Sequence, residues 1–127
     1  MTDDDFLAAL EDTSLADADF RHRDHLRAAY LYLRRDGFAG AVAAMSAALR
    51  RFAASRGKAD RYHETMTVAF LALINERLTA SGDPGSFDTF LARHPEIAER
   101  DLLQRYYSPE TLTSDRARRA FVLEPRP

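Results

Sequence analysis

Apolar residues recur three and four apart almost from one end of this chain to the other, and no stretch of useful length alternates with a period of two. That pattern calls for amphipathic helices and leaves nothing from which to build a half-buried sheet. "TDDDFLAALEDT" opens with acids that suit a helix N-terminus, followed by a stripe of Phe6, Leu7 and Leu10. After a turn through residues 14–19, the spacing predicts a helix from about Asp24 to Arg35, ended by Gly37. A third follows over about 38–55, with Val42, Met45, Leu49 and Phe52 on one face, and Gly57 ends it. Residues 62–81 form the most apolar segment, and Met66, Phe70, Leu73 and Ile74 suit a central helix. "GDPG" at 82–85 turns the chain, and Ser86 is placed to cap a short helix carrying Phe87, Phe90 and Leu91. His94-Pro95 breaks that helix, and Pro95 can open a sixth piece reaching "LLQRYY". The tail holds a short helix from about Ser114 and an extended end. The expectation is one all-α domain, a bundle of about four main helices plus short C-terminal ones. The 127 residues suffice for a single core.

Composition removes several kinds of function. There is no cysteine, hence no disulfide, thiolate nucleophile or thiolate metal site. A net charge of −2, with the arginine clusters at 34–35, 50–51 and 116–119 interspersed with acids, argues against nucleic acid as a partner. No apolar run is long enough for a signal peptide or membrane span, so a soluble cytoplasmic protein without a membrane partner is expected. Neither a glycine-rich phosphate loop nor a serine in an elbow context occurs.

The four histidines are distributed unevenly. Two lie in "FRHRDHL" at 20–26, one in "RYHETMT" at 61–67, and His94 sits beside the Pro95 break. Short connections make successive helices antiparallel, so two inversions leave the second and fourth helices parallel, N-termini together. His22 and His25 then stand above Ala29 and Leu33, while His63 and Thr67 lead into Phe70 and Ile74. Helical side chains lean toward the N-terminus, which aims these groups at one end of the bundle. Tyr106 and Tyr107 are expected to return to that end, and His94 to lie elsewhere. The plainer alternative makes His22 the cap of its helix, His63 a first-turn residue behind an Asp60 cap, and Glu64 a partner of the helix dipole.

On F-R-H-R-D-H-L at 20–26, Y-H-E-T-M-T at 62–67 and a late Y-Y-S with downstream A-R and F at 106–121, the sequence resembles a group of short bacterial proteins with no assigned activity. The resemblance covers most of the chain. It implies that these motifs travel together, as parts of a composite site.

Two chemistries suit such a site. His22 and His25, with His63 or Glu64 as the third ligand, could hold a divalent zinc, iron or copper ion, with Asp24 or Asp19 behind an imidazole. Without a metal, a helix N-terminus favours neutral imidazole, so His25 and His63, with Glu64, could act as acid and base. Arg21, Arg23 or Arg61 could clamp an anion, and Tyr62, Tyr106, Thr65 and Thr67 supply hydroxyls. The first expectation is therefore a small helical enzyme with a histidine-centred, metal-assisted site acting on a small polar or anionic molecule. The alternative is a non-catalytic module that binds a small molecule or a partner in the same pocket.

Overall fold

The computed structural model describes residues 1–126; Pro127, at the end of the expected extended tail, lies outside them. Helix α1 (Asp3–Glu11) starts where Thr2 accepts the Asp5 amide at 3.1 Å, with three aspartates in its first turn. It buries Phe6, Leu7 and Leu10. A single 3-10 turn, Asp17–Asp19, leads to α2 (His22–Ser55), where the Asp24 carboxylate accepts the Arg21 amide at 2.9 Å.

Helix α2 has 34 residues but is not one rod. At Gly37, φ is 73° and ψ is −178°, a conformation essentially confined to glycine. Laid straight, 34 residues would span roughly 50 Å, yet the Phe20 and Phe52 rings lie 5.1 Å apart. The chain therefore doubles back at Gly37 into two antiparallel arms, residues 22–36 and 38–55. The expected end at Gly37 and restart at Phe38 hold.

A further 3-10 turn, Ala59–Arg61, precedes α3 (Glu64–Ser81). Tyr30, near the end of the first arm, donates to Asp83 at 2.5 Å, and Arg34 reaches the Gly85 carbonyl at 2.9 Å, just past the C-terminus of α3. At the other end, residues around His22 and around His63 line one cavity. The first arm and α3 thus run parallel with matched ends, as the two inversions require. Between the arms, α1 and α3 lies the main core, in which Leu10, Leu26, Leu71 and Ile74 are fully enclosed. Each such side chain contributes about 1.5–3 kcal/mol by leaving water.

The C-terminal third is built from short pieces. Helix α4 (Phe87–Arg93), capped by Ser86, packs Phe87 and Phe90 against Tyr30. Pro95–Ala98 and Leu102–Arg105 are 3-10 turns rather than the single helical piece expected after Pro95. Helices α5 (Pro109–Thr113) and α6 (Asp115–Arg119) follow, each capped by a serine. Their Leu112 and Ala117 join Leu103, Tyr107 and Val122 in a second apolar cluster against Ala69 of α3. Because α3 is covered from two sides, Thr65, Ala69 and Leu71 are buried beside Ile74, while Met66 is 37% exposed. Of the expected stripe, Ile74 is in the core, Leu73 and Phe70 pack against it, and Met66 and Phe70 also line a cavity. Among the described residues there is no strand, and no helix is long and apolar enough to cross a membrane.

Candidate functional site

The parallel first arm and α3 place their N-termini side by side, and the second arm returns its C-terminus to the same end. Between the three opens a cavity of about 610 Å³, within the range of small-molecule sites. Its walls come from Leu26 and Ala29 of the first arm, Met45, Leu49 and Phe52 of the second, and Met66 and Phe70 of α3. His22, His25 and His63 all line it, so the three histidines do gather at one end of the bundle. His94 does not; it packs on Phe90 and lies 3.7 Å from Glu96.

The three imidazoles are held differently. His25 stacks on Phe20, ring centroids 3.9 Å apart. Burial holds its pKa down at about 4; His22 pushes the same way and Asp24 opposes. At neutral pH it is an uncharged ring. His22 meets Phe70 edge-on at 5.7 Å, and its Nε2 is buried with no hydrogen-bond partner. Burial and then Arg100 lower its pKa, against the Ala98 backbone. His63 is the N-cap of α3. Its Nδ1 accepts the Met66 amide at 3.1 Å, and its Nε2–H donates to the Leu112 carbonyl at 2.6 Å. Both ring nitrogens are thereby committed to backbone.

That commitment bears on the expected metal trio of His22, His25 and His63. Among the described residues no group of three histidine or acidic side chains is assembled that could hold a metal ion. Asp24 accepts the Arg21 amide, and among the described residues it makes no hydrogen bond to an imidazole. Glu64, expected as an acid or base, accepts from Tyr62, just before α3, and turns to the second arm, where it lies 3.7 Å from Arg50. It does not line the cavity, because the 100° step from His63 carries it around the helix.

The remaining expectations divide. Arg21, Tyr62 and Thr67 line the cavity. Burial and the Glu64 carboxylate raise the Tyr62 phenol, keeping it a protonated donor. Thr67 donates to the His63 carbonyl at 2.8 Å, which supports the cap. Arg23 lies elsewhere, paired with Asp88 at 2.6 Å across the Phe87 ring. Tyr106 is also elsewhere: 45% exposed, it lines a separate apolar groove with Leu73 and Phe121, because two 3-10 turns carry the chain to the far side of α3. Tyr107 is buried there, donating to the Val122 carbonyl.

A ring of cations at the cavity mouth was not foreseen as a set. Arg21, Arg56, Lys58, Arg61 and Arg100 line it against one carboxylate, Asp17, which pairs with Arg56 at 2.8 Å. Arg56 also donates to the Thr13 and Leu15 carbonyls and so fixes the loop before α2. Among the described residues Arg21, Lys58, Arg61 and Arg100 form no ion pair. Elsewhere arginine is commonly matched, as in Arg27–Asp3, Arg77–Glu96 and Arg105–Glu99. The four unmatched charges come from three separate stretches of chain, around residues 21, 58–61 and 100, so no local sequence window displays them together. The chain matches no family model, no curated protein and no solved structure.

Proposed function

We propose that the protein binds a small anionic molecule in the cavity between α2 and α3. The observation that carries this reading is the mouth itself. Four cations without carboxylate partners surround one opening in a chain whose net charge is −2. Their field raises the local concentration of an anion and steers its entry. A guanidinium also offers paired donors in the geometry of a carboxylate or phosphate.

The balance between binding and catalysis follows from His25. A base with a pKa of about 4 is free at neutral pH but has little affinity for a proton, and proton transfer works best when the two match. A neutral ring in that wall serves a ligand better as a hydrogen-bonding partner. His63 and Glu64, the companions expected for His25, are tied to backbone and to Tyr62. Binding is therefore the first reading. The metal-assisted enzyme is the second, and it requires stoichiometric zinc, iron or copper in untagged protein, lost on His25→Ala.

Calorimetric titration with benzoate and with its neutral relative benzamide tests the first reading. Benzoate should bind and benzamide should bind at least tenfold more weakly. Arg61→Gln should weaken benzoate alone. Equal affinity for the two compounds, or no binding of benzoate, overturns the proposal.

A further inference from the structure

The cavity is polar at one end only. Its charged side chains come from the ends of α2, from the short segments that adjoin them in the chain, and from Arg100, between two 3-10 turns of the C-terminal third. Along the second arm the lining runs inward from Arg56 through Phe52 and Leu49 to Met45, a helical rise of roughly 16 Å. On α3 it runs from His63 to Phe70, roughly 10 Å. Beyond the mouth the wall is almost wholly hydrocarbon and aromatic ring. Thr67, the one inner hydroxyl, is already bonded to the His63 carbonyl.

A compact anion such as phosphate would occupy the mouth and leave this length facing water. We infer that the ligand is an amphipathic anion, a carboxylate or similar head held at Lys58, Arg61 and Arg100, with an elongated hydrocarbon body lying between Phe52, Met45 and Phe70. This inference rests on the anion-binding reading above and adds the body to it. Two methionines suit such a body, because their flexible, polarisable side chains conform to differing apolar shapes. The unpartnered Nε2 of His22, beside Phe70, is a buried polar atom that a second polar group on the ligand could satisfy after a small ring rotation.

The chain has three methionines, Met1, Met45 and Met66; the latter two line the cavity and Met1 is exposed. Titration of protein carrying 13C-labelled methionine methyls therefore reads the site directly. Decanoate, acetate and decanol are the probes. Decanoate should shift the Met45 and Met66 methyls but not Met1, and should bind about a hundredfold more tightly than acetate. It should exceed decanol by about tenfold, and the exposed double change Lys58→Gln with Arg61→Gln should remove that advantage while leaving decanol binding as it was. Acetate binding as tightly as decanoate would overturn the amphipathic ligand and leave the anion site standing. Decanol matching decanoate would overturn both. Benzoate binding without decanoate would overturn the elongated body alone, as would decanoate binding that left Met45 and Met66 unshifted.

Discussion

His25 ties the site to the stability of the fold. Burial lowers its pKa to about 4 from an ordinary value near 6.5, with His22 adding to the effect and Asp24 opposing it. Between those two values the unfolded chain holds a proton that the folded chain does not, so stability rises with pH across that window. It is fully present above about 6.5 and is lost as pH falls toward 4. His25→Gln, neutral throughout, should lack this component. Urea unfolding of both proteins from pH 7 to pH 4 should show the wild type losing more, by on the order of 3 kcal/mol. Parallel pH curves would mean that His25 is not held neutral by burial. His63 bears on stability in a different way, as the cap of α3. His63→Ala should cost about 1–2 kcal/mol through the lost cap, and His63→Asn, which can still accept the Met66 amide, should recover part of it. A change below 0.3 kcal/mol in thermal or urea unfolding of His63→Ala would remove the cap assignment. The gathering of His22, His25 and His63 was legible in the sequence because helix direction alone decides it. The commitment of His63 was not, since its second partner is the Leu112 carbonyl, 49 residues away. Arg100 was invisible for the same reason.

At the level of elements, the reversal at Gly37 decides whether there is a cavity at all. It returns Phe52 to Phe20 and Arg56 to the Leu15 carbonyl, and so supplies one of the three walls. The space around Gly37 is open, with nothing within 4 Å of an added Cβ, so the obstacle to substitution is the backbone and not a clash. Gly37→Ala should lower stability by about 1–3 kcal/mol. Denaturant unfolding checks this, and an unchanged midpoint would show that the turn adopts another conformation without cost. Turns of this kind are legible because glycine and proline act locally: Gly37, Gly57 and residues 82–85 divide the chain where expected. The stretch from Pro95 to Arg105 was harder to read. A helical piece was expected after Pro95, but Ile97, Leu102 and Leu103 do not share one helical face, and each is buried from a 3-10 turn, where tertiary contacts outweigh the weak local preference. That difference sends Tyr106 to the far side of α3, away from the site it was expected to join.

Across the whole molecule, the tail and the cavity meet at the first turn of α3. The cavity face of that turn carries His63, Met66 and Thr67. Its opposite face carries Thr65, which is fully buried. The Thr65 hydroxyl donates to the Ala120 carbonyl at 2.8 Å and accepts the Val122 amide at 3.1 Å. One side chain thus satisfies two backbone groups of the tail, while His63 holds Leu112 a turn away. Thr65→Val keeps the volume and removes both bonds, leaving a carbonyl and an amide without partners. Each such group costs about 1–3 kcal/mol when buried, so the tail should detach from α3 before the bundle unfolds. Three consequences are expected together. Thermal unfolding should shift downward. Trypsin should cut faster at Arg116, Arg118 and Arg119, which lie in or at the end of α6. Decanoate should bind more weakly, because the loosened Leu112 contact frees the His63 ring that forms part of the cavity wall. Thr65→Ser, which keeps the hydroxyl, should restore tryptic resistance and decanoate affinity together. If Thr65→Val leaves the rate of cleavage at those arginines unchanged, the tail is held by its apolar cluster alone. If cleavage accelerates while decanoate affinity stays constant, the tail is a separate covering and the first turn of α3 keeps its shape without it.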